Sequence, residues 1–396
     1  MSAFLELVLL LFIIVVGAKL SGFLVARFNK PMVVGEIAFG ILLGPTVIDL
    51  LALPAFHHAE VTAEVLQLLA ELGVLFLMFL AGLETDLTAM RKVGLPALNS
   101  AIGGVILPFL GGWGLGVATG MPQQEAIFVG TILTATSVSI SAQTLIELGK
   151  LKSKEGMTIL GAAVIDDVIG ILMVSVVVAI FATGGASTPI WLVAVKMVGF
   201  FVVAYLLAPL VRRFFKMFAK LPVSEAMLAG ALIIAMIYGW SAEYLGGVAA
   251  ITGSYLAGII LGQVRQKHEL EEKAKTLVYS LFVPIFFVDI GLRANLREAL
   301  TGPLVWLGLG IVMIAIVAKL VGSGVGALLT GFSFKEALRV GAGMISRGEV
   351  GLIVAGIGVQ RGVIPTEVFS LMVLMVVATT LITPVLLRLT FPKEAT

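Results

Sequence analysis

Asp166 and Asp167 stand side by side in a run that is otherwise apolar from Gly161 to Ile180. An aspartate at the centre of a membrane helix costs about 2.5–3.5 kcal/mol on insertion scales. Two in succession imply a chemical need for carboxylate oxygens at that depth, and carrying protons or cations is the need that fits. A third charge, Lys319, lies mid-run within Ile311–Leu320, too deep to snorkel easily to either surface. A buried ammonium requires an anionic partner, and the aspartate pair is the obvious one. Adjacent positions on a helix point about 100° apart, so the two carboxylates cannot face one partner equally. The pattern predicts a division of labour, with one carboxylate paired to Lys319 and the other facing a water-filled cavity. Proton and metal cation would then compete for the same oxygens, with Na+ or K+ helped by Ser and Thr hydroxyls and unwound carbonyls. Two acids and one lysine titrate as a coupled group. Release of the salt-bridged pair would add a second proton per cation and make exchange electrogenic. A purely structural ion triad is the competing reading, although buried pairs are weak stabilisers.

Other deep charges are assigned by position. Arg347 and Glu349 are two residues apart, hence on different helix faces, and are read as structural or gating charges with partners on other helices or at the broken segment. Lys19 and Lys196 have no obvious partner. Glu71, Glu84, Asp86 and Asp289 fall near span ends and are read as solvated or interfacial, whereas Glu36 stays open.

The chain of 396 residues is 59% hydrophobic and 13% charged, with a mean hydropathy of +1.12. That balance marks an integral membrane protein. The first apolar run begins at Leu5 without a basic segment before it or a small-residue cleavage site after it, so it is expected to remain as a span. No cysteine is present, which excludes disulfides, thiolate metal sites and cysteine nucleophiles. His57, His58 and His268 fall in predicted loops, so neither zinc chemistry nor a Ser-His-Asp site has its parts. The expectation is a non-enzyme with no cofactor, whose partners are the bilayer, monovalent cations and protons. The loops are short and no hydrophilic domain follows the last span, so nucleotide and nucleic acid are not expected to bind.

Windows of roughly 20 apolar residues predict an all-α membrane protein with about thirteen transmembrane helices. They cover 4–26, 31–48, 63–83, 94–118, 124–147, 155–182, 189–211, 222–242, 247–263, 274–291, 301–329, 336–360 and 366–389. Lys and Arg alternate sharply between successive loops. One side collects Arg27 and Lys30, Arg91 and Lys92, the Lys150–Lys154 group, the Arg212–Lys220 group, the Arg265–Lys275 group and later basic pairs, while the other has Arg293, Arg297 and Arg361. The positive-inside rule puts the N-terminus outside and the C-terminus in the cytoplasm, in the inner membrane of a cell.

The two halves match weakly at an offset near 210 residues. Leu72, Val74, Gly82, Leu83 and Leu87 recur as Leu281, Val283, Gly291, Leu292 and Leu296; Gly40–Gly44 recurs as Gly258–Gly262; Glu125, Ala126, Val129 and Gly130 recur as Glu336, Ala337, Val340 and Gly341. Spans 1–6 and 8–13 then form two six-helix repeats of opposite membrane orientation, joined by span 7 as a linker helix. At one depth, span 5 reads Thr134–Ser141 and span 12 reads Ser346–Gly351. Hydroxyl-rich and glycine-rich stretches satisfy freed backbone groups where a membrane helix unwinds, so spans 5 and 12 are expected to be discontinuous and crossed. Asp166, Asp167 and Lys319 break the repeat: their rough counterparts are Val377, Ala378 and Pro108.

Four motifs, Ala135–Ala142, Gly161–Val168, Pro284–Phe287 and Arg347–Ile353, resemble those of bacterial sodium/proton antiporters of the NapA type, within the cation:proton antiporter-2 family. The likeness covers nearly the whole chain. It implies a homodimer in which spans 1–3 and 8–10 form a dimerisation part and spans 4–6 and 11–13 an ion-carrying core. In residues, the first repeat is 1–183 (dimerisation 1–92, core 93–183), the linker 184–221 and the second repeat 222–396 (dimerisation 222–298, core 299–396). An elevator-like movement of the core would give alternating access. By motif, Asp167 is implied to be the main ion-binding carboxylate, Asp166 the partner of Lys319, and Thr136 and Ser137 the polar residues at the crossover, so that Asp167, Thr136 and Ser137 would hold the transported Na+ or K+. Potassium-efflux relatives carry a C-terminal nucleotide-binding domain and often lack the first aspartate. This chain ends at Thr396 and has both aspartates, so a member of that branch is not expected. Asp289 stands where a neutral residue is expected, so the preference among Na+, Li+ and K+ is not carried over. A potassium-efflux pore and a sodium-coupled solute symporter are the alternatives; a buried Lys319 beside the acids favours proton exchange over both.

Overall fold

The structure, a computed structural model, describes residues 2–28, 32–85, 87–181, 190–247, 250–299, 301–302 and 304–391. The described residues are helical with no strand. In chain order the helices are α1 (Ala3–Ala26), α2 (Met32–Leu43), α3 (Ala59–Glu84), α4 (Leu87–Ala118), α5 (Gln123–Ile132), α6 (Val138–Glu147), α7 (Lys154–Phe181) and α8 (Ile190–Phe218). They continue with α9 (Ala226–Tyr244), α10 (Ala250–Leu261), α11 (Lys267–Leu277), α12 (Val283–Arg293), the single turn α13 (Leu296–Ala299), α14 (Leu304–Leu328), α15 (Phe334–Gly343), α16 (Glu349–Gln360) and α17 (Thr366–Thr390). Nine helices among the described residues are long and apolar enough to cross a membrane; Met32–Leu43, Ala250–Leu261 and Val350–Gln360 are apolar but shorter.

Two boundaries differ from the sequence reading, each for a local reason. Span four begins at Gly94 and runs to Ala118 as expected: helical residues continue back to Leu87, but Gly94, with a φ of +71° that L side chains rarely adopt, breaks the helix there. The charged stretch holding His268 is helix, not loop, because Leu270 and Ala274 recur one turn apart and bury one face of α11. The interruptions of spans five and twelve are shorter than expected and lie at Leu133–Ser137 and Met344–Gly348.

Packing sorts the helices into two groups. In one, α3 packs on α10, α2 on α12, α1 on α2 and α9 on α10; in the other, α14 packs on α4 most extensively, joined by α5, α7, α15 and α17. Close approach of backbones sets the main contacts. A methyl at Gly40 would fall 2.3 Å from the Val288 carbonyl oxygen, and one at Gly258 would fall 2.1 Å from that of Phe79. The α4–α14 crossing is equally tight, a methyl at Gly322 falling 2.2 Å from Gly103 O. Small residues at helix crossings are how membrane helices gain packing when lipid is as apolar as the side chains. α8 presents Val195, Val198, Tyr205, Leu206 and Leu210 outward, as a helix against lipid does.

A buried ion pair where two interrupted helices meet

The two interruptions satisfy each other. Ser137 N–H donates to Ser346 O at 2.9 Å, and Ser346 Oγ donates to Ser137 O at 2.7 Å. Ser141 Oγ lies 3.0 Å from Ser346 Oγ and donates to Gly343 O. Thr380 Oγ1 on α17 donates to Arg347 O at 2.8 Å. Freed backbone groups inside a bilayer need partners of this kind, and hydroxyls from both halves of the chain supply them.

Against this junction lies the charge pair. Asp166 sits on α7 and Lys319 on α14, and the close α4–α14 crossing brings the Gly104 carbonyl up to the lysine. Lys319 Nζ donates to Asp166 Oδ2 at 2.8 Å, to Gly104 O at 2.6 Å and to Thr134 O at 2.8 Å. Neither side chain of the pair is exposed. Among the described residues the ammonium thus has three oxygen acceptors, as many as it has N–H groups. The same Asp166 oxygen accepts from Thr136 Oγ1, while Oδ1 is buried with no partner among the described residues. Asp167 follows on α7, and its side chain lies outside the described residues. So does the side chain of Glu349, which opens α16.

Arg347 is fully buried beside the pair. Its Nη2 donates to Leu133 O, the carbonyl at the end of α5, at 2.6 Å and to Ala315 O, one turn before Lys319 on α14, at 3.3 Å. A cation at the C-terminal end of a half-helix compensates the negative end of its dipole. Arg347 therefore ties the α5 terminus to the helix that carries Lys319. Ser137 is buried, its Oγ has no partner among the described residues, and it lines a cavity of about 200 Å³ together with Gly348, Thr380, Ile37, Tyr279 and Phe287.

A larger cavity, about 630 Å³, lies between the two helix groups and is lined by Gln67, Glu71, Glu243, Asp289, Arg293 and Arg361. Asp289 corrects the sequence reading: it is buried rather than solvated, its Oδ2 accepting from Arg293 Nε at 2.9 Å one turn on, and Arg293 Nη1 reaches Gln67 Oε1 at 3.1 Å. Glu36 is buried with one carboxylate oxygen unpartnered among the described residues. Lys19, for which the sequence offers no obvious partner, donates to Tyr279 O at 2.7 Å. The carbonyls of Gly104 and Thr134 were not foreseen as lysine ligands; being backbone, they leave no mark in the residue pattern.

A family model described as "Sodium/hydrogen exchanger, transmembrane" matches residues 9–392. The Na(+)/H(+)-K(+) antiporter GerN of Bacillus cereus is 40% identical over 383 residues, covering 96% of this chain and 95% of that protein. The Na(+)/H(+) antiporter of Enterococcus hirae is 36% identical over 386 residues, 97% of each. The solved structure of the sodium proton antiporter MjNhaP1 from Methanocaldococcus jannaschii at pH 8 matches with a TM-score of 0.74 at 16% identity, over 97% of this chain and 96% of that one. That last likeness is one of fold alone.

Proposed function

The chain belongs to the sodium/hydrogen exchanger family, a family of membrane antiporters, and from that premise we propose that it exchanges a monovalent cation for protons. Na+ is the first candidate, with Li+ and K+ also served by carboxylate and hydroxyl oxygens. GerN carries K+ in its name beside Na+ and H+, which keeps K+ among the cargoes to be measured. The observation that carries the reading is the enclosed Asp166–Lys319 pair at the junction of two interrupted helices, with a second carboxylate at the next position. Asp167, Thr136 and Ser137 hold the cation in this reading, Asp166 and Lys319 exchange protons with it, and Arg347 and Glu349 keep the junction in shape. Two protons move per cation, so exchange is electrogenic.

The architecture proposed is two inverted six-helix repeats of thirteen crossings in all, with α5/α6 and α15/α16 as crossed, discontinuous helices. Paired contacts support it. Gly40 lies against Gly291 and Gly258 against Gly82, and Gly40 with Gly258 and Gly291 with Gly82 are the positions matched between the halves. The packing of α2 on α12 has its counterpart in α10 on α3. The group of α1–α3 and α9–α12 serves as the dimerising scaffold of a homodimer and the group around α4, α7, α14 and α17 as a core that moves against it like an elevator. The protein resides in the inner membrane with its N-terminus outside and its C-terminus in the cytoplasm.

Reconstitution tests the reading. In proteoliposomes an imposed Na+ or K+ gradient should move protons, and Asp167→Ala should abolish the movement. Absence of cation-dependent proton flux at every pH would overturn it. Electrogenicity has its own test, because Lys319→Gln should remove the dependence of exchange on membrane potential if the lysine carries the second proton.

A further inference from the structure

The apolar span Lys267–Arg293 is not uniformly α-helical. Between α11 and α12, residues Val278–Phe282 form a π-helical turn, in which Val283 N–H donates to Val278 O five residues back. In that register the next carbonyl, Tyr279 O, would receive the N–H of residue 284. Residue 284 is proline and has none. A main-chain carbonyl left without a donor inside a bilayer is costly, so a partner must come from elsewhere. Lys19 supplies it from α1, its Nζ donating to Tyr279 O at 2.7 Å. The unexplained charge in α1 and the proline in α12 are thus two halves of one arrangement.

π turns occur often at functional places, and this one forms part of a cavity wall. Tyr279 lines the cavity of about 200 Å³ that is also lined by Ser137, Gly348 and Thr380, residues at the junction of the interrupted helices. Tyr279 is itself half-exposed, as expected of a residue at a cavity mouth. Lys19 lies in the half of α1 that ends at Arg27, the side that the positive-inside rule puts in the cytoplasm.

We propose that Lys19 is a positioning residue for cation exchange: by capping the Tyr279 carbonyl that Pro284 cannot serve, it fixes the π turn and sets the shape of the cavity mouth leading to Ser137. The inference rests on the antiport reading above. Lys19 touches no ion in this role and carries no proton; it acts through Tyr279.

Lys19→Met removes the donor, Lys19→Arg keeps one, and Pro284→Ala gives the chain back the missing N–H. In inside-out vesicles, which expose the cytoplasmic face, Lys19→Met should raise the KM for Na+ about three- to tenfold, the weight of roughly one lost hydrogen bond, and leave the maximal rate within about twofold. Lys19→Arg should return KM close to that of the unmodified protein. Once Pro284→Ala is present, Lys19→Met should have no further effect. A KM unchanged by Lys19→Met overturns the proposal, as does the same fold-increase with and without Pro284→Ala. If the unmodified protein exchanges, and Asp167→Ala does not, either of those results removes the role of Lys19 and leaves the antiport reading standing. Absence of exchange in the unmodified protein removes both.

Discussion

Lys319 Nζ and Asp166 Oδ2 lie 2.8 Å apart with neither side chain reaching solvent, and the other two hydrogen bonds of the ammonium go to carbonyls of α4 and of the α5 interruption. The lysine therefore holds three elements together as well as one charge. Breaking a buried pair by removing one partner typically costs about 3–5 kcal/mol, since the other charge is left uncompensated. Lys319→Met should destabilise by about that amount, because it strands the carboxylate and two carbonyls together. Asp166→Asn should cost less, the ammonium keeping both carbonyls. The double variant should cost clearly less than the sum of the singles. Thermal unfolding in detergent, compared for the unmodified protein and the three variants side by side, measures this; strict additivity would mean that the pair does not act as a unit.

Gly104 should not tolerate a methyl group. A Cβ there would fall 2.4 Å from Ser323 Oγ and 3.3 Å from Lys319 Nζ, so Gly104→Ala must turn the Ser323 hydroxyl aside and press the lysine away from its place by a few tenths of an ångström. Overpacking of this kind costs about 1–3 kcal/mol. The expected result is a protein that folds with lowered thermal stability and has lost most of its exchange activity. Gly114→Ala on the same helix is the control, since nothing lies within 4 Å of a methyl there. Equal behaviour of the two variants would show that the α4–α14 crossing has slack.

Much of the site can be seen in the residue pattern, and what cannot be seen is backbone. Charges in an apolar run are conspicuous because their insertion is costly, so Asp166, Asp167 and Lys319 stand out and their pairing follows from need. The unwound stretches were placed at Thr134–Ser141 and Ser346–Gly351, yet residues from Val138 onward are helical. The reason is that Ser141 spends its hydroxyl on the opposite half, donating to Gly343 O, so a run of hydroxyls marks the neighbourhood of a break rather than its limits. Asp289 was misplaced as interfacial although Arg293, one turn on, was visible as its partner; the spacing gives the ion pair but not the cavity that buries it. Lys19 could not be assigned at all, because its acceptor is a main-chain oxygen whose vacancy arises only once the π register puts Pro284 opposite it.

Arg347 should resist replacement by lysine. Its Nη2 reaches Leu133 O at 2.6 Å and Ala315 O at 3.3 Å while Nη1 reaches Ile345 O at 3.5 Å, so three carbonyls are served from two nitrogens of a planar fork, and the single nitrogen of an ammonium on a different stem does not reproduce that set. Arg347→Met leaves these carbonyls without that donor at a cost of about 1–3 kcal/mol for each buried group. Arg347→Lys should recover part of the stability and little of the activity. Stability and exchange measured on both variants decide the matter; full activity in Arg347→Lys would show that charge alone suffices there.

Glu243 at the end of α9 and Arg361 after α16 form an ion pair across the two helix groups, beside the larger cavity. The other pairs among the described residues stay within a group: Arg339 with Glu155 joins α15 to α7, and Lys275 with Glu84 joins α11 to α3. If the core moves against the scaffold, Glu243–Arg361 is a contact that must break and re-form in each cycle. Both partners are close to half-exposed, and an exposed pair contributes only about 0.2–1 kcal/mol. The conformational equilibrium should therefore shift by no more than about fivefold when it is lost. Glu243→Arg and Arg361→Glu should each leave thermal stability nearly unchanged while altering the exchange rate by up to that factor. The charge-swapped double variant, which restores attraction with reversed sign, should return the rate to that of the unmodified protein. A double variant as impaired as the worse single one would show that the two residues act separately, and that the pair is a bystander to the movement rather than a latch on it.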